Sequence, residues 1–214
     1  MRDIIMISHK NKFIYTRVAK TGSVAIIHAL RNYVNDLQRE YDIENCNYDP
    51  CHISSSDIQK KVPHEFNQYF KWAFTRNPWD RLVSIWSMNK QSKHFVCSFP
   101  LHIPDFPQFI KSLDNLDWMP KKNTYRQCNK KYFNYTFGNI SDFTAGSDFV
   151  GKFENLQNDF DFISETIGIP KQTLSWTNTT SHKQYAEYYD DETREIVAKK
   201  YAKDIESFGY KFGG

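Results

Sequence analysis

Short apolar runs alternate along this chain with longer stretches in which apolar residues recur every three or four positions, the pattern of strands followed by helices. Ile4–Ser8 and Phe13–Val18 flank the polar His9-Lys10-Asn11-Lys12 and are predicted as a hairpin or two neighbouring strands. Beyond Gly22, the residues Ile26, Leu30, Tyr33, Val34 and Leu37 fall at helical spacing, with Ser23 placed to cap the helix. A short helix over Asp57–Lys61 ends before Pro63, and Phe70–Thr75 forms the next strand. Pro78 suits the first turn of a helix that carries Leu82, Ile85 and Trp86 on one face.

Residues 90–147 are the least regular, rich in Pro, Asn and aromatic residues, with one helix expected at Phe106–Leu113. They read as an insertion over the sheet, a common place for substrate contacts. A further strand, Asp148–Phe153, leads into a helix striped by Leu156, Phe160, Ile163 and Ile167 and stopped by Gly168 and Pro170. The last helix begins near Asp190-Asp191-Glu192 and buries Val197, Tyr201, Ile205 and Phe208. Strands alternating with helices predict an α/β fold, a mainly parallel sheet covered on both faces, with its ligand crevice at the carboxyl ends of the strands. All 214 residues are expected to form a single domain.

Composition narrows the classes of function. A hydrophobic content of 40% and an aromatic content of 16% describe a globular protein, and a net charge of +3 is too small for wholesale nucleic-acid binding. Any anion site must be local. No window reaches the roughly 18 apolar residues of a membrane span, so the expected location is cytoplasmic, the alternative being a luminal domain cut from its anchor. Four cysteines, Cys46, Cys51, Cys97 and Cys128, are few for a disulfide framework and read as reduced thiols. Cys46, Cys51 and His52 lack a second paired motif, which argues against zinc.

The chemistry is concentrated at two strand ends. Lys20-Thr21-Gly22-Ser23 lies where the Phe13–Val18 strand stops and a helix starts, the geometry of a phosphate cradle. It is not a Walker motif, because Lys20 precedes the glycine and no glycine stands upstream. At the second strand end, the turn into the next helix carries Arg76, whose guanidinium is a fork of donors suited to an anion.

Three segments, Arg17-Val18-Ala19-Lys20-Thr21-Gly22-Ser23, Phe74 through Ser84, and Phe149 through Leu156, together resemble the signatures of sulfotransferases that use 3′-phosphoadenosine-5′-phosphosulfate (PAPS). The likeness is to the carbohydrate and Golgi-type branch and its bacterial relatives. It implies a P-loop NTPase-like three-layer fold and transfer of a sulfuryl group to an acceptor hydroxyl, on a saccharide in that branch, leaving 3′-phosphoadenosine 5′-phosphate (PAP), with no metal required. By the same resemblance Lys20, Thr21, Gly22 and Ser23 hold the 5′-phosphosulfate, Arg76 and Ser84 hold the 3′-phosphate, and Lys183 lies in a closing segment over the nucleotide.

Cys51-His52-Ile53-Ser54-Ser55-Ser56-Asp57 resembles the segment with the proposed base of heparan 2-O-sulfotransferases, which makes His52 the expected catalytic base beside Lys20. His94, His102 and His182 are lesser candidates, and His102 lies in the insertion. Two positions depart from the family pattern. Ala19 replaces a common proline, and Val24 replaces a common serine or threonine, so one phosphate-facing hydroxyl is missing. Two rivals stay open, an ATP-dependent kinase of related fold and a non-catalytic protein that binds nucleotide or sulfated glycan.

Overall fold

The computed structural model describes residues 5–34, 53–91, 105–113, 135–175 and 183–214. Their elements, in chain order, are β1 (Met6–Ser8), β2 (Phe13–Thr16), α1 (Ser23–Leu30), α2 (Ser55–Lys61), α3 (Pro63–Gln68), β3 (Phe70–Thr75), α4 (Pro78–Gln91), α5 (Phe106–Ser112), α6 (Ile140–Phe143), β4 (Phe149–Lys152), α7 (Leu156–Thr166), α8 (Asp191–Lys200) and α9 (Ala202–Phe208). The chain divides into two compact units, Met1–Arg76 with Ile140–Asn178 and Asn77–Asn139 with Thr179–Gly214.

The first unit holds the whole sheet, in the order β1-β2-β3-β4. β1 and β2 are antiparallel neighbours, Met6 opposite Tyr15, whereas β2–β3 and β3–β4 are parallel. The expected α/β class is therefore observed, a mainly parallel sheet flanked by helices. Alternation along each strand fills both faces. Phe13, Tyr15, Trp72 and Phe74 pack on Ile26, Ile27 and Leu30 of α1 and on Leu156, Phe160 and Ile163 of α7. Ile7 and Ile14, on the opposite face, pack on Ile53, Ile58 and Phe66.

Gly151 of β4 is fixed by this packing, since a Cβ there would lie 2.6 Å from Phe74 Cε1 and 3.0 Å from Asp159 Cβ. Gly151→Ala is expected to cost about 1–3 kcal/mol by overpacking. Thermal unfolding should register this as a fall of several degrees, and an unchanged midpoint would refute the close fit.

In the second unit, Trp79, Leu82, Val83 and Ile85 of α4 meet Phe106, Phe109 and Ile110 of α5, with Val197 and Tyr201. Arg81, buried on α4, donates to the carbonyls of Thr136 (2.8 Å) and Gly138 (3.1 Å), so its guanidinium is engaged by backbone. Asp190 caps α8 in a capping box with Thr193.

The structure alters three expected boundaries. α1 stops at Leu30, whose carbonyl accepts from both Tyr33 and Val34 N–H, so the chain turns there, and Leu37 lies outside the described residues. The continuous last helix is broken at Tyr201 (φ −110°), whose buried hydroxyl donates to the Phe137 carbonyl at 2.9 Å. Pro63 starts a second short helix, α3, which hydrophobic spacing did not announce.

Candidate functional site

Residues 17–22 join β2 to α1, and two of them take left-handed backbone conformations, Lys20 at φ 66° and Gly22 at φ 78°. A lysine held there costs on the order of 1–2 kcal/mol, and strain of this kind collects at functional sites. A side chain at position 22 would be strained by the positive φ, and its Cβ would lie 2.7 Å from Leu156 Cδ2, which would have to shift. The helix N-cap is Gly22, with no side-chain cap, so the first N–H groups of α1 are left for another acceptor. Ser23 is thus not the expected cap. It is the first helical residue, nearly buried, and its hydroxyl accepts from Arg17 Nε at 3.3 Å.

Thr21 is fully buried, and its hydroxyl donates to the Val18 carbonyl at 3.1 Å, which closes the turn from inside. Arg76, one residue past β3, is also buried, at 7% exposure. Its Nη1 donates to the Lys20 carbonyl at 3.1 Å, and its guanidinium lies 4.0 Å from the Phe153 ring centre. The structure therefore joins Lys20, Gly22, Ser23 and Arg76 in one unit, around one loop.

Loss of water around the Lys20 ammonium and, secondarily, repulsion from Arg76 push its pKa from 10.5 down to about 8. Two cations held together beside an uncapped helix N-terminus form a site whose charge calls for an anion. A phosphate or sulfate group suits this donor set, which presents backbone N–H groups, an ammonium and a guanidinium.

Along the outer face of α1 runs a cleft of about 250 Å³ lined by Ala25, His28, Ala29, Asn32, Gln172 and Leu174, among others. It begins two residues beyond Ser23, and Gln172 closes one side by donating to the Ala29 carbonyl at 3.2 Å.

Ser84 and Lys183 belong to the second unit. Ser84 is buried on α4, 3% exposed, whereas Lys183 is exposed and pairs with Glu187 at 3.8 Å. His52, Cys46, Cys51, Cys97, Cys128, His94, His102 and His182 lie outside the described residues. Next along the chain from His52, Ile53 is buried against the sheet, and the Ser55 hydroxyl is hydrogen-bonded to Thr16 at 2.9 Å. This bond anchors the start of α2 at the carboxyl end of β2. Among the described residues, no helix is long and apolar enough to cross a membrane.

Arg17, Phe153 and the cleft residues were missed as site residues in the sequence. A signal for Arg17 was present, because Phe13, Tyr15 and Arg17 share one side of the strand register. Gln172 had none, since the cleft depends on where the chain passes after α7.

The model described as "Sulfotransferase family" matches residues 3–211. An uncharacterised protein of Archaeoglobus fulgidus is 28% identical over 137 residues, 64% of this chain and 96% of that protein. Carbohydrate sulfotransferase 14 of Danio rerio is 22% identical over 186 residues, 71% of this chain but only 46% of the zebrafish protein. No solved structure matches. With the family signature running over nearly its whole length, from residue 3 to residue 211, and taking in the cationic, uncapped loop between β2 and α1, the chain belongs to the sulfotransferase family.

Proposed function

We propose that the protein transfers a sulfuryl group from PAPS to a hydroxyl of a saccharide. The observation that carries this reading is the convergence of Lys20 and Arg76 on a loop that ends in an uncapped helix N-terminus. The saccharide acceptor is supported by the similarity to carbohydrate sulfotransferase 14 and by the segment around His52.

When bound, the donor supplies an activated sulfuryl group on its 5′-phosphate. Gly22 and Ser23 bind that phosphate through the first N–H groups of α1, and Lys20 meets the charge that grows on the bridging oxygen as the S–O bond breaks. That interaction is stronger in the transition state than before it, which is why a lysine at this place accelerates transfer. His52 takes the acceptor proton as the new O–S bond forms. Arg76 grips the 3′-phosphate with its fork, and the cleft between α1 and Gln172 takes the nucleoside. Ser84 and Lys183 keep the nucleotide-binding roles that the family resemblance implies.

Calorimetry tests the donor class. PAP should bind in preference to ADP and ATP, and the reverse order would sink the reading. The titration of Lys20 adds a proton signature. The folded, ligand-free chain has this pKa near 8, below the ordinary 10.5, and a bound phosphate raises it again. Binding should therefore take up a proton above about pH 8, with affinity falling up to about tenfold per pH unit above 8 relative to its value at pH 7. Equal binding enthalpies at pH 8.5 in buffers of different ionisation enthalpy would contradict the assignment to Lys20.

A further inference from the structure

The proposed reading of the Lys20–Ser23 loop leaves a buried cation beside it without a task. Arg17 is 6% exposed, and its Nε donates to Ser23 Oγ at 3.3 Å. Phe13 and Tyr15 point into the core on the α1 side of the sheet, and Arg17 continues that register just past the end of β2. It reaches the helical end of the loop, while Arg76 holds the other end through the Lys20 carbonyl at 3.1 Å. The loop is fastened by an arginine at each end.

A serine hydroxyl carries one proton and two acceptor lone pairs. A charged N–H on its oxygen fills an acceptor site and polarises the O–H bond, which turns the serine proton toward another acceptor. At the uncapped start of α1, an anion is the acceptor that this position favours. The next residue is Val24, which has no hydroxyl, so the orientation of Ser23 matters more here than in a loop with two.

Resting on the phosphate-cradle reading, we infer that Arg17 is a positioning residue that fixes the Ser23 rotamer and commits its proton to the 5′-phosphate of the donor. Ser23 touches the ligand and Arg17 acts through it.

A double-mutant cycle tests this. Arg17→Gln and Ser23→Ala, alone and together, are titrated by calorimetry with PAP and with inorganic pyrophosphate, after circular dichroism has verified folding. Each single change is expected to weaken binding about tenfold, and the double change by no more than about tenfold, because one interaction is lost in all three. Multiplied losses, about 100-fold in the double variant, would overturn the inference, since Arg17 would then act independently of Ser23. Should Arg17→Gln fail to fold, Arg17→Lys serves in its place. It keeps the charge but not the planar Nε–H, and is expected to match the loss of Ser23→Ala. Wild-type affinity in Arg17→Lys would overturn the inference by showing that charge alone suffices. Binding of pyrophosphate without PAP by the unsubstituted chain sinks the nucleotide-donor reading instead, and the coupling is then read on pyrophosphate. If neither probe binds, both readings fall.

Discussion

Lys20→Met is expected to lower kcat for sulfuryl transfer by about 10²–10³-fold while making the folded protein more stable. The loss follows from the proposed role, because the methionine stem fills the same space without the positive charge that meets the leaving phosphate oxygen. The gain follows from the depressed pKa. A group that holds its proton less tightly in the folded chain than in the unfolded one subtracts from stability whenever both forms are charged, here at every pH below about 8. Removing the ammonium abolishes its desolvation and its repulsion with Arg76, worth roughly 1–2 kcal/mol once the solvent reaching this half-buried side chain is allowed for. Melting at pH 7 should move up by several degrees, with the difference shrinking between pH 8 and 10.5 as wild-type Lys20 loses its proton. The left-handed φ of residue 20 does not confuse the comparison, since methionine and lysine both carry a Cβ. An unchanged kcat would remove Lys20 from the chemistry. A lower melting temperature at pH 7 would show that the ammonium stabilises the loop.

Such opposed effects on stability and activity explain what the sequence could convey about this site. Periodicity located β2, β3, β4 and the helices that follow them, because strand alternation and helical spacing are properties of consecutive residues. The two strand ends that carry Lys20 and Arg76 could be placed for the same reason. Side-chain hydroxyls were harder. Ser23 looks like an N-cap by residue type, yet the cap position belongs to Gly22, and the serine oxygen faces Arg17. Thr21 belongs to the predicted cradle, and the fold alone shows that its hydroxyl turns inward to the Val18 carbonyl. In each case a backbone dihedral decides, and the left-handed turns at residues 20 and 22 are not written in hydrophobic spacing. Phe153 under Arg76, and Gln172 beside α1, depend on contacts across long stretches of chain that only the fold supplies.

Arg76→Ala and Arg76→Lys should separate grip from electrostatics, and the difference lies in their pH profiles. Alanine removes the fork proposed for the 3′-phosphate, the packing on Phe153 and the tether to the Lys20 carbonyl, so PAP affinity is expected to fall about 100-fold, the scale of a charge-assisted bidentate contact. It also removes one of the two causes that depress the Lys20 pKa, and the pH above which affinity declines should move upward from about 8. The move stops short of 10.5, because loss of water around Lys20 is the larger cause and remains. Lysine at position 76 keeps the repelling charge while losing the planar fork, so affinity should fall with the pH midpoint still near 8. A purely structural collapse of the loop would expose Lys20 to water in both variants and raise both midpoints together. That outcome would reduce Arg76 to a support for the turn, whereas a midpoint that rises only in Arg76→Ala ties the guanidinium directly to the charge state of the lysine.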